Sequence, residues 1–145
     1  MRRGGAFAVL LAGTLFACQS AFVYEEATPE EREAWFDEVS QGLYDGIAST
    51  LLKGRGGVMM SMAKREWDVE RRRIDIGVDV KIRGDDFVYN DLMSSETVLK
   101  GACPASYLGT PLERNGVKVH VRYGLEGGGT FLAVMMSPET CAPYA

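Results

Sequence analysis

His120 is the single histidine of a 145-residue chain. It sits in the alternating run Lys118-Val119-His120-Val121-Arg122, which puts it on the polar side of a strand between two cations. Proton transfer by this ring needs a nucleophile or carboxylate beside it, and no motif in the chain supplies one. Asp75 and Asp79 lie four apart on an earlier strand, so they face the same way at roughly 13 Å. That is too far for two carboxylates acting on one bond. Asp85 and Asp86 suit the start of a helix, and Gly84-Asp85-Asp86-Phe87 carries too few oxygens for calcium. The glycine clusters at 54–57 and 127–129 lack the Lys-Ser/Thr ending of a phosphate loop and read as turns. The sequence thus gives no catalytic constellation, and the expectation is a non-enzymatic protein with no metal and no cofactor.

A second set of residues suits contact rather than chemistry. Lys64, Arg65, Arg71, Arg72 and Arg73 crowd one hairpin, interleaved with Glu66, Asp68 and Glu70, and Trp67 lies among them. Trp67, Arg71, Arg72 and Arg73 are the candidate partner contacts, toward anionic headgroups or an acidic protein surface. The alternating signs equally suit a solvated hairpin. Met59, Met60 and Met62, with Met135 and Met136, read as core fillers, or as an adaptable binding surface.

The N-terminus bears on where this contact happens. Arg2 and Arg3 precede an apolar run from Ala6 to Phe16, which closes on Leu15-Phe16-Ala17-Cys18. A positive start followed by a short apolar run is the layout of a signal peptide, and the run is too short to span a bilayer. Its last four residues resemble the lipobox of bacterial lipoproteins. That resemblance implies cleavage before Cys18, diacylation of its thiol and fatty acylation (palmitate) of the new terminus. Gln19 after the cysteine would then favour an outer-membrane protein facing the periplasm. Cleavage near Ser20 or Ala21 by ordinary signal peptidase, giving a soluble periplasmic or secreted protein, is the alternative.

Residues 1–17 are therefore read as signal peptide, 18–27 as a short tether and 28–145 as one domain. Losing Arg2 and Arg3 takes the formal charge from −4 to −6. An acidic chain lacks the concentrated basic surface of a nucleic-acid binder. Both cleavage readings remove Cys18 from the thiol count, and Cys103 and Cys141 remain as an even pair in an oxidising compartment. A disulfide between them is expected.

The elements follow from period and punctuation. Thr28-Pro29-Glu30-Glu31 is a capping box with proline at the first helical position. Trp35, Val39, Leu43, Ile47 and Leu51 then repeat at steps of four, and Lys53-Gly54 ends the helix. Gly42 and Gly46 inside it suggest close approach to a sheet. Val58–Trp67 and Ile74–Ile82 read as strands joined by a turn within 68–72. A second helix is expected to start at Gly84-Asp85-Asp86 with Val88, Leu92, Val98, Leu99 and Cys103 inward, weakened at Ser94 and Ser95. Pro104 stops or bends it, and a helical turn through Leu108 and Leu112 ends at Asn115-Gly116. Val117–Tyr123 and Thr130–Met136 are the last two strands, around a turn at 126–129. The expected fold is α+β in the order α-β-β-α-β-β, an antiparallel four-stranded sheet with helices packed on one face.

From Val98 to Cys141 the layout resembles small exported bacterial proteins of unknown function. In these a helix cysteine precedes a Gly-Val-x-Val strand (here Gly116-Val117-Lys118-Val119) and a second cysteine follows the last strand. Size, lipobox and disulfide also resemble pilotins, lipoproteins that guide secretion-channel subunits to the outer membrane. The expectation for function is a lipid-anchored binding or assembly module of the cell envelope, whose partners are the membrane and an envelope protein. A soluble inhibitor or effector is the alternative, and a small hydrolase a more distant one.

Overall fold

The computed structural model describes residues 22–51, 58–82 and 94–145. Helix α1 (Pro29–Leu51) starts where the capping box requires. The Thr28 backbone N–H donates to Glu31 Oε2 at 2.8 Å, and the Glu31 N–H donates to Thr28 Oγ1 at 3.2 Å. Strands β1 (Val58–Asp68) and β2 (Arg73–Ile82) form the first hairpin. Helix α2 (Ser95–Ala102) leads through a wide i→i+5 turn over Cys103–Tyr107 and one helical turn at Pro111–Arg114 to β3 (Lys118–Leu125). Strand β4 (Thr130–Met136) returns alongside.

The fold is α+β, with sheet order β1-β2-β3-β4 and the helices on one face. The two hairpins are antiparallel, but the central pair β2/β3 is parallel. The sheet is therefore mixed, where the sequence reading had it wholly antiparallel. The reason lies in the connection: the segment between β2 and β3 is long and, where described, largely helical, as parallel pairing requires, and β3 starts level with the start of β2.

Ile74, Ile76, Val78 and Val80 of β2, Val119 and Val121 of β3, and Leu132, Val134 and Met136 of β4 all point to the helix side and are buried. Trp35 and Phe36 of α1 close the core over them. Met60 and Met62 sit half-buried on the same side, as core fillers, with Met136 buried. Met59 is exposed and Met135 stands beside His120 on the other face, since strand alternation turns them away from the core. Cys103 and Cys141, both fully buried, form the expected disulfide and tie the end of α2 to the turn after β4. Tyr107, also fully buried, donates its hydroxyl to the Val117 carbonyl at 2.7 Å and so seats this connection on the start of β3.

Three details depart from the sequence reading. Residues 22–27, taken as tether, belong to the fold: the Phe22 ring stacks on Trp35 at 4.3 Å, and Tyr24 is buried. A run rich in aromatic residues finds apolar surface to cover, so it packs instead of trailing. Ser94, read as a weak point in mid-helix, is the N-cap of α2, accepting from the Thr97 N–H at 3.2 Å; its short side chain favours that role. The expected start at Gly84-Asp85-Asp86, with Val88 and Leu92, lies outside the described residues. Finally, a Cβ at Gly42 or Gly46 would meet nothing within 4 Å, so neither glycine marks close approach to the sheet.

Candidate polar sheet face

Alternation along the strands leaves the other face of the sheet to polar side chains, and the described helices pack on the opposite side. The parallel register sets Asp75 level with His120, and Gly77 level with Arg122. The antiparallel register of β4 then adds Met135 to the first row and Ala133 to the second. A shallow concavity of about 440 Å³ lies over these rows, lined by Lys64, Arg73, Asp75, Asp79, His120 and Arg122 among others.

Its best-organised part is a three-residue cluster. Arg73 donates Nε to both Asp75 oxygens at 3.0 Å and Nη2 to Oδ1 at 2.8 Å. His120 Nδ1 lies 3.2 Å from Asp75 Oδ1 and 3.3 Å from Arg73 Nη2. Burial works to raise the Asp75 pKa, but the hydrogen bonds and charge of Arg73, with the contact to His120, outweigh it, and the carboxyl is held below its ordinary value. The sequence reading gave His120 only cations as neighbours. The carboxylate comes from a strand 45 residues away through a parallel pairing that was not foreseen. The cluster fixes the imidazole, and among the described residues no hydroxyl or thiol hydrogen-bonds the ring.

The next row is emptier. Gly77 lies under the Lys64 side chain so closely that a Cβ there would stand 2.8 Å from Lys64 Cγ. Arg122 stands between Gly77 and the small Ala133. Its Nε donates to Thr130 Oγ1 at 3.0 Å, and no carboxylate of the described residues lies within 4 Å of its guanidinium. Asp79 lines the same concavity, also without an ion-pair partner among the described residues. The face therefore offers a guanidinium that no carboxylate of the described residues pairs, a fixed imidazole and an acceptor in one opening.

The hairpin residues foreseen as partner contacts do not gather into one exposed patch. Trp67 is half-buried on the helix side, its Nε1 donating to Glu33 at 2.9 Å with the Arg65 guanidinium 5.1 Å from its ring centre. Arg72 lies 3.9 Å over the Tyr24 ring, donates to the Asn115 carbonyl at 3.1 Å and pairs with Glu25. Arg73 belongs to the Asp75 cluster. Arg71 is the exposed one, with a long 3.7 Å contact to Asp68. Arg122 was seen only as a neighbour of His120, and its open surroundings depend on strand register.

A second opening, apolar and of about 330 Å³, lies between the two helices above β3 and β4. Gly42, Gly46, Val98, Val121 and Tyr123 help to line it. Burial there pushes the Tyr123 hydroxyl pKa up. Among the described residues, no group of three His, Cys, Asp or Glu is placed to hold a metal, and no helix is long and apolar enough to cross a membrane. Comparison with family models, with curated proteins and with solved structures found no match to this chain.

Proposed function

We propose that the protein is an exported, lipid-anchored binding module of the cell envelope that performs no chemical step and takes an acidic peptide segment of a partner protein on the open face of its sheet. The observation that carries this reading is Arg122, an arginine without a carboxylate partner among the described residues, set between a glycine and an alanine and beside an immobilised imidazole. An arginine fork matches a carboxylate in two parallel hydrogen bonds. Asp79, one residue pair further along, can accept a backbone N–H of the same segment, so charge and strand geometry suit a peptide carboxylate flanked by a donor. The fixed imidazole adds direction without entropy loss on binding.

The lipid anchor rests on Leu15-Phe16-Ala17-Cys18 and on the export implied by the preceding run. The buried disulfide is consistent with an oxidising compartment. Anchoring raises the local concentration of a module whose own contacts are weak.

The binding half is tested by NMR titration of the domain with a short glutamate-rich peptide. Amide shifts should cluster at 120–124 and at 133, and Arg122→Ala should abolish them while leaving the rest of the spectrum unchanged. Scattered or absent shifts sink the reading. The export half is tested by intact mass from membrane and soluble fractions: a start at Cys18 with diacylglycerol and acyl mass supports it. An unlipidated start after Ser20 or Ala21 moves the protein to the soluble alternative.

A further inference from the structure

The chain is gripped almost as soon as it would leave the anchor. Phe22 stacks on Trp35 at 4.3 Å, and its carbonyl accepts from Asn115 Nδ2 at 3.1 Å. Tyr24 donates its backbone N–H to Asn115 Oδ1 at 2.9 Å and its hydroxyl to the Val69 carbonyl at 2.8 Å. The Tyr24 ring lies under two guanidinium groups, Arg32 at 4.2 Å and Arg72 at 3.9 Å. Four peptide steps separate Phe22 from Cys18, a reach of at most about 14 Å. The strands are longer than that: β3, at 8 residues, covers roughly 23 Å.

All the groups that grip this segment lie at one end of the sheet. Val69 and Arg72 are in the β1–β2 turn, and Asn115 leads into the start of β3. Because β2 and β3 run parallel from that end, the β3–β4 turn at 126–129 lies at the opposite one. Helix α1 runs the same way: Glu33 meets Trp67 near the gripped end, and Asp37 meets Arg65 further on. Gly42 and Gly46 then fall toward the far end.

From this geometry we infer that the domain stands on the bilayer by its β1–β2 turn end, with the surface around Phe22, Val23 and Arg71 against the lipid headgroups. This rests on the lipid-anchor reading above. The occupant of the surface is set by the tether: a link shorter than the domain holds this end at the interface. Val23, one of two large apolar side chains exposed among the described residues, sits at the exit of the chain, where an interfacial layer can receive it. Charge does not draw this end to the bilayer. Arg72 is paired with Glu25 and Arg71 with Asp68, and the exposed Glu26, Glu30, Glu31 and Glu70 outnumber Arg32 and Arg114. The orientation therefore does not depend on anionic lipid. Its consequence is that Arg122 and the opening beside Gly42 and Gly46 stay clear of the headgroups and face an approaching partner.

The test uses the full chain, purified with its lipid and placed in phosphatidylethanolamine/phosphatidylglycerol vesicles that carry a headgroup spin label. With Cys18 acylated and the other two cysteines bridged, one introduced cysteine is a unique site for a fluorophore. Labels at Val23→Cys and Glu70→Cys should be quenched several-fold more than a label at Glu126→Cys. A flexible insert of about ten residues between Ala21 and Phe22 should erase most of that difference. Lipidated protein with equal quenching at both ends overturns the orientation alone. Intact mass without lipid at Cys18 overturns the anchor reading and the orientation with it.

Discussion

Asn115 and Tyr24, 91 residues apart, are joined by a buried hydrogen bond of 2.9 Å from the Tyr24 backbone N–H to Asn115 Oδ1. The other end of the same amide donates to the Phe22 and Pro111 carbonyls at 3.1 and 2.9 Å. One side chain thus fastens the N-terminal segment to the turn that launches β3. Asn115→Ala should cost about 1–3 kcal/mol, because it leaves the Tyr24 N–H and the Phe22 carbonyl without this partner. Urea unfolding measures that loss. Limited proteolysis adds a local readout, with new cleavage within 22–28 before the sheet is cut. Loss of stability without such cleavage would mean that Asn115 does not hold this segment.

Asp75 makes the sheet face acid-sensitive. Its carboxyl pKa is lowered in the folded chain, so it binds a proton less readily there than in the unfolded chain. The stability from its charged form is therefore full above the ordinary carboxylate pKa of about 3.9 and is lost as pH falls through the lowered native value. Asp75→Asn removes the ionisation while keeping the shape. The stability gap between the two proteins should be present near neutral pH and close as acid is added below about pH 4. Urea midpoints measured across that range decide it. A gap that is unchanged in acid would mean that the Arg73 pairing contributes no net stability.

The helix, the strands and the disulfide were legible because each is written locally. The stripe from Trp35, the alternation from Ile74 and the parity of Cys103 and Cys141 do not depend on how the elements are arranged. The Asp75–His120 contact was not legible, since it follows from the parallel pairing of β2 with β3. Two hairpins separated by a helix are compatible with either direction at the centre of the sheet. Arg71, Arg72 and Arg73 show the same limit at shorter range. They are consecutive, yet one is exposed, one covers Tyr24 and one binds Asp75. Arg72 adopts φ 50° in the turn and reaches Tyr24 and Glu25 of the N-terminal segment, and composition does not show that.

The bridge between Cys103 and Cys141 closes a separation of 38 residues. Loop closure of that length restricts the unfolded chain by about 4 kcal/mol in the entropy treatment. Cys103→Ser and Cys141→Ser should each destabilise by a few kcal/mol, and the double variant should be no worse than the poorer single one. Thermal or urea unfolding of all four proteins under oxidising conditions gives the cycle. Additive losses would contradict the pairing.

Gly42, Gly46 and Gly77 have different reasons for lacking a side chain, and alanine separates them. At Gly42 and Gly46 a Cβ would meet nothing within 4 Å. Alanine there should stabilise the domain by up to about 1 kcal/mol each, through helix propensity and a less flexible unfolded chain. At Gly77 the Cβ would press on Lys64 Cγ at 2.8 Å, inside a strand where backbone adjustment is shared with both neighbours. Gly77→Ala should therefore destabilise, and Lys64→Ala should relieve most of that cost, a coupling that a double-mutant cycle reads directly. Should Gly42→Ala or Gly46→Ala destabilise instead, the opening between the helices is filled in solution, and the new methyl group competes with whatever fills it.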